Sequence, residues 1–269
     1  NRPAGGRQTP QLESNKKGAF GWNQAIQSEN DASRVFVPDA DKATQLRQIG
    51  FGTVLTHVRD GIVRGNGALV TLTDESGNRA LLNGKASAHY SWSKGSSTQT
   101  YPSSMMGSVA LLRQTYYDAE WYGKSVNLKD KNLSLEAFNT NKQLPSIFES
   151  SDKFSLLRAD QIGDEFGIQY LIRGGGDEYQ RINEIKATKA TLILPLVFPD
   201  AYDVSDPWDA EVVSLSQLKH WELAPANAGA VAKANIPFAL TAANLKSKSD
   251  FWKNLRLAVA YGLPKEKAL

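Results

Sequence analysis

The 269-residue chain contains no cysteine. It therefore has no disulfide, no thiolate metal site and no cysteine nucleophile, although this absence does not fix the compartment. There are three histidines, His57, His89 and His220, far apart in sequence. The longest apolar run, 190–198, is too short to span a bilayer and contains Pro195. No basic run or stripe is present, and the net charge is only +3, so nothing points to nucleic acid. No Gly-x-Ser-x-Gly elbow and no phosphate loop occur, which leaves serine hydrolysis and nucleotide hydrolysis unsupported.

What remains is ordinary globular material, 41% hydrophobic and 22% charged. The length accommodates one (β/α) barrel of about 250 residues. Residues 1–20 are polar, rich in Gly and Pro and aperiodic, and read as linker or loop. Residues 21–269 read as one domain. A helix is expected at 39–48, capped by Gly50, then a buried strand at 51–56 and a polar loop at 57–67. A strand at 68–73, a turn at 74–78 and a short strand at 80–82 follow. A polar loop at 93–104 leads to helices at 105–121 and 134–141.

From 144 the alternation is regular. Strands are expected at 144–149, 168–172, 190–194 and 236–241, and helices at 152–166, 177–188, 214–221, 225–234 and 249–261. Residues 200–209 read as an acidic loop. This spacing argues a parallel sheet wrapped by helices, with central strands buried on both faces. The chain starts at Asn1 rather than Met, and 262–269 opens a helix that stops after one turn. The expectation is a segment of a longer protein.

Several pieces, in order, resemble the imidazolonepropionase-like branch of the amidohydrolase superfamily. RQIGFGTVLTH resembles its second-unit strand, and GSSTQTYPSSMMGSVALLRQTYYDAEWY the loop and long helix after the third unit. LPSIFES resembles the fifth strand, GIQYLIRGG the sixth, IPFALTAAN the eighth, and LAVAYGLPKEKAL the helix that follows. The resemblance covers roughly 80% of the chain; no single piece is specific, but the ordered set is. It implies an α/β fold, a TIM-like (β/α) barrel that is incomplete, with about seven of eight units and the first strand missing.

Active members of that family hold one or two divalent metals at the strand ends. Their ligands are a His-x-His, two single histidines and an aspartate, with a carboxylated lysine or a glutamate in some. The metal acidifies a water molecule and the aspartate shuttles its proton. Here the matching positions carry Glu149, Arg173 and Ala243, the lysine slot falls near Ser91, and the first strand would lie before Asn1. A guanidinium cannot bind a metal. The resemblance thus implies no catalytic residue, no metal and no cofactor, with zinc returning only if ligands lie outside the chain or at other positions.

Each candidate has a functional and a plainer reading. Glu149 and Arg173 would end adjacent strands, either as an anchor for a polar ligand or as a structural salt bridge. His57, Arg59 and Asp60 follow a strand, either as an acid/base pair in a binding mouth or as loop-solvating groups. Gly174–Gly176 before Asp177-Glu178 reads as an anion-holding helix start or a plain turn. The 64–67 cluster Arg-Gly-Asn-Gly reads as a tight turn. The aromatics of 89–92 and 121–122 read as a carbohydrate platform or as core. Asp203, Asp206, Asp209 and Glu211 read as a Ca²⁺ loop or a solvated one. His220, beside Trp221, reads as an ordinary helix histidine.

Three functions are carried forward. The first is a degenerate, metal-free amidohydrolase domain with a scaffold or partner role. The second is an active metal-dependent hydrolase of C–N bonds. The third is a metal-independent binding domain for peptides or sugars. The expected partner is the remainder of a longer polypeptide, or another chain, at the open barrel edge.

Overall fold

The tandem strand–helix units of 144–194 are present in the computed structural model, which describes residues 11–73, 77–124 and 130–268. The first ten residues of the linker or loop expected at 1–20 and most of the 74–78 turn lie outside these residues. The strands are β1 (Thr53–Thr56), β2 (Val63–Thr71), β3 (Leu81–Ser91), β4 (Ser146–Glu149), β5 (Leu171–Arg173), β6 (Thr191–Pro195) and β7 (Phe238–Thr241). The first helices are α1 (Ala32–Val35), α2 (Ala40–Gln48), α3 (Gly77–Ala80), α4 (Met105–Lys124), α5 (Leu133–Asn141) and α6 (Lys153–Phe166). The later ones are α7 (Ile182–Ala187), α8 (Pro207–Val212), α9 (Leu215–Leu223), α10 (Asn227–Lys233) and α11 (Asp250–Ala260).

Among the described residues, one sheet of seven strands runs in sequential order from β1 to β7. β4 through β7 are parallel neighbours, each joined to the next through helix. The fold is α/β, an incomplete TIM-like (β/α) barrel, as the sequence implies. The chain divides into two compact units.

Unit 1 comprises Asn1–Val35, Leu55–Ala68 and Asn83–Pro145. Its core is aromatic. Tyr116 of α4 meets Phe138 of α5 edge-on at 4.9 Å, and Tyr90 of β3 meets the same ring at 6.3 Å. Phe138 is 1% exposed, and truncating such a ring to alanine costs about 3–5 kcal/mol. Residues 11–20 form no helix or strand. They are pinned by buried Gln99, whose Nε2 donates to the carbonyls of Leu12 and Trp22.

Unit 2 comprises Phe36–Val54, Leu69–Leu82 and Ser146–Leu269. Local signals set its helices. Asp152 caps α6 by accepting from Phe154 N and Ser155 N, and Gly167 ends it in the left-handed region at φ 70°. α11 buries Phe251, Leu255 and Ala258 along one face. Trp252 Nε1 donates to Ile49 O beyond the end of α2, and Phe251 packs edge-on against Phe51. Phe148, Ile172 and Leu192 form a fully buried lateral row across β4–β6.

Several expectations need correction. The 51–56 strand was expected to be buried, but β1 is half-exposed along its length, with Leu55 38% accessible. It stands at an end of the strand order, where one neighbour is lacking. The central strands are fully buried on one face only, since Ile147, Leu171 and Ile193 are half-buried. The loop expected at 57–67 instead enters strand at Val63, and the strand expected at 80–82 extends to Ser91. Polar residues line both: Arg64, Asn66, Ser87, His89 and Ser91 are all buried. The helix expected at 177–188 begins as a 3-10 turn, Glu178–Arg181, before α7. The acidic loop at 200–209 gives way to α8 at Pro207.

Candidate functional site

Glu149 ends β4 and Arg173 ends β5, and the parallel register sets them side by side. Arg173 Nη2 donates to Glu149 Oε1 at 2.8 Å, with both side chains less than one-fifth exposed. The ion pair expected from the sequence is therefore present. The same lateral row continues through Ile193 and Ala239, so it carries no further charge and no imidazole.

The turns beyond these strands are tied together. Lys153 N donates to Asp177 Oδ1 at 2.8 Å and Lys153 Nζ to Asp177 Oδ2 at 3.0 Å. Ser150 donates twice to Arg173 O, through N and Oγ. Gly175 lies against the Ser151 carbonyl and Asp152 N so closely that a Cβ would collide with backbone. The anion-holding reading of Gly174–Gly176 has an internal outcome. Glu178, fully buried, accepts from Gly176 N at 3.2 Å and from Asn227 Nδ2. Burial raises its carboxyl above the usual range, against the hydrogen bonds and with a smaller contribution from Asp177. A Cβ on Gly174 would occupy the space that this carboxylate fills.

In unit 1, Asp60 serves a loop. Its Oδ1 accepts from Ser96 N at 2.7 Å, and its Oδ2 from Ser96 Oγ at 2.6 Å and Gln27 Nε2 at 3.0 Å. Burial pushes its pKa up, but these bonds and one from Gly61 N outweigh that, and the net shift is downward. Asp60 is thus engaged by Ser96 of the 93–104 loop and by Gln27. Arg59 is exposed.

His57 has another neighbour. Its ring stacks on His89 with centroids 3.7 Å apart and planes within 5°. His89 Nε2 shares a 2.8 Å hydrogen bond with Ser87 Oγ. Burial, then His57 and Arg64, pull the His89 pKa down to about 2, so the ring stays neutral. Arg64 donates from Nε to Gly61 O and from Nη2 to Ser91 Oγ. Gly67 makes room for this group, because a Cβ there would strike His89 and Ser87. Sequence reading treated these histidines as unrelated. The available signal was the i, i+2 spacing of Ser87, His89 and Ser91, which puts three polar side chains on one strand face.

The remaining candidates resolve simply. Ala243 follows β7 and donates from N to Thr241 Oγ1. Tyr90 and Trp92 are core, as is Tyr122, while Trp121 is exposed. Asp203 accepts from Ser205, and Asp206 caps α8 through Trp208 N. His220 stacks with Tyr179 and lies 3.2 Å from its hydroxyl. Two cavities of about 340 Å³ open in unit 1, and Glu29 lines both. Its carboxylate is held by Lys16 on one side and Ser134 Oγ on the other.

Among the described residues, no three His, Cys, Asp or Glu side chains come together as a metal site requires. The strand-end donor set does not fit a divalent cation. The Glu149 carboxylate is engaged by a guanidinium, a cation would be repelled there, and Ala243 offers no side-chain donor. Nor is any helix among the described residues long and apolar enough to cross a membrane.

No protein-family model matches the chain, and no curated protein sequence matches it. The structure is similar to the crystal structure of an amidohydrolase from Thermotoga maritima MSB8, with a TM-score of 0.70. The likeness covers 96% of this chain and 70% of that one at 16% identity, and at that identity it is a likeness of fold.

Proposed function

We infer that this is an amidohydrolase-like barrel domain of the imidazolonepropionase-like branch that has lost its metal and serves as a scaffold or partner-binding domain. One observation carries the reading. Two positions that match metal ligands in the resemblance hold a carboxylate and a guanidinium, paired at 2.8 Å in adjacent strands. The pair compensates its own charge, so these strand ends need no ion for charge balance.

The fold likeness to an amidohydrolase supports the scaffold half of this reading. The strand order supports the partner half, because β1 and β7 stand at its ends and neither has a fully buried residue. Such edges accept another chain. Elemental analysis of purified protein tests the metal. Stoichiometric, tightly bound zinc would establish the alternative, an active metal-dependent hydrolase of C–N bonds. Thermal-shift screening of Glu149→Gln and Arg173→Met against the parent tests ligand anchoring. Loss of a ligand response in both variants would turn the pair from a structural bridge into a binding site for a peptide or sugar.

A further inference from the structure

Between β6 and α10 the chain makes two largely exposed helices. No residue of α8 or α9 is buried. Trp208 and Val212 are 78% exposed and Leu215 is 68% exposed, and Leu218, Trp221 and Leu223 are exposed as well. Large apolar side chains exposed this close together in sequence mark an interaction surface. Local signals start both helices: Asp206 caps α8, and Ser214 with Gln217 forms a capping box on α9. With six and nine residues, they are shorter than the about 12–15 at which an isolated helix becomes more than marginal. Within unit 2, α9 is tied near its end, where His220 meets Tyr179. A further surface would supply the burial this face lacks.

Charge indicates which kind. Between Lys189 and Lys219 the chain has five acids, Asp200, Asp203, Asp206, Asp209 and Glu211, and no lysine or arginine. Asp200 is paired with Lys246. Asp209 and Glu211 lie on α8 itself, interleaved with Trp208 and Val212. We propose that the α8–α9 face docks a basic amphipathic helix of a partner protein. The partner's apolar stripe lies on Trp208, Val212, Leu215 and Trp221, and its lysines or arginines meet Asp209 and Glu211. On α9 itself Lys219 and Glu222 offset each other, so the acids of α8 set the sign of the face, and an anionic membrane would repel them. The proposal does not depend on the metal-free reading of the barrel, since the face is present whether or not the domain hydrolyses anything.

The test uses the purified chain and a fluorescent synthetic helix of leucine and lysine, with a twin carrying glutamate for lysine, read by anisotropy. The lysine peptide is expected to bind, to weaken as ionic strength rises, and to lose affinity about tenfold or more with Trp208→Ser/Leu215→Ser. The Asp209→Asn/Glu211→Gln variant keeps the apolar face and both caps, and is expected to lose the preference for lysine over glutamate. Equal binding of the two peptides, no binding, or undiminished binding by both variants would overturn the proposal. So would sedimentation as a dimer that dissociates in the Trp208→Ser/Leu215→Ser variant, or cosedimentation with phosphatidylcholine or phosphatidylserine vesicles.

Discussion

Glu149 and Arg173 are lateral partners in the parallel register of β4 and β5, and their side chains close a 2.8 Å ion pair. With 19% and 13% side-chain exposure, the pair is largely withdrawn from water, so its members depend on each other more than surface ions do. Glu149→Gln alone leaves the guanidinium beside a neutral group in a mostly apolar row. It is expected to cost about 2 kcal/mol, with Arg173→Met similar, and the double variant less than the sum. A double-mutant cycle by urea denaturation reads the coupling. A coupling energy below about 0.5 kcal/mol would place the pair among ordinary surface bridges and remove the support it gives to the metal-free proposal.

The neighbouring turn is equally constrained. Gly175 sits against the backbone of Ser151 and Asp152, which link β4 to α6. Backbone cannot give way as a flexible side-chain tip can. Gly175→Ala is therefore expected to destabilise by about 2–3 kcal/mol, the cost of forcing an atom into filled space. Gly167, also in a turn, has open space around its missing Cβ but a φ of 70°. Gly167→Ala is expected to cost less, about 1 kcal/mol, from backbone strain alone. Thermal denaturation of the two variants compares them, and the reverse order would refute the steric argument.

The contrast between units explains what the sequence made legible. In 146–260 the periodicities are apolar, the caps are local, and strand and helix positions follow within a few residues. Even the Glu149–Arg173 pair could be placed, because parallel strands of known spacing bring their ends together. In 57–91 the same approach found the strands at 68–73 and 80–82 but missed their extent, since several of the buried positions are polar. Arg64, Ser87, His89 and Ser91 satisfy one another and nearby carbonyls. Asn66 Oδ1 accepts from Ala32 N, a partner 34 positions away. A hydrophobicity pattern cannot register a strand whose inward side chains are hydrogen-bonded to distant segments. The His57–His89 stack was hidden for the same reason, as was Asp60's commitment to Ser96.

Asp160 and Asp164 lie one turn apart on α6. Burial first, and Asp164 second, raise the Asp160 pKa from 3.8 to about 6. A folded pKa above the unfolded value means that the folded state holds the proton more tightly. This contribution to stability is present below pH 3.8 and is lost as pH rises toward 6. The full shift corresponds to about 3 kcal/mol, which solvent screening of this partly exposed group reduces to about 1 kcal/mol. Asp160→Asn is expected to raise the urea midpoint at pH 7 and to leave it nearly unchanged at pH 3.5. An equal gain at both values would assign the effect to helix propensity and not to charge.

His89 behaves in the opposite sense. It is 4% exposed, hydrogen-bonded to Ser87 and stacked on His57. Its pKa falls from 6.5 to about 2, first because burial disfavours the imidazolium and then because His57 and Arg64 repel it. A depressed pKa on a base means that the unfolded chain binds the proton first. Stability from this group is complete above pH 6.5 and is lost progressively as pH falls toward 2. Between pH 7 and pH 5 the loss is about 2 kcal/mol, from the pH interval below the unfolded value. His89→Gln keeps a polar partner for Ser87 but cannot titrate, so its stability should depend less on pH across that interval by about the same amount. Guanidinium unfolding at pH 7 and pH 5, followed by tryptophan fluorescence, measures both chains. If parent and variant weaken in parallel on acidification, His89 is already protonated in the folded protein, and burial does not hold its ring neutral.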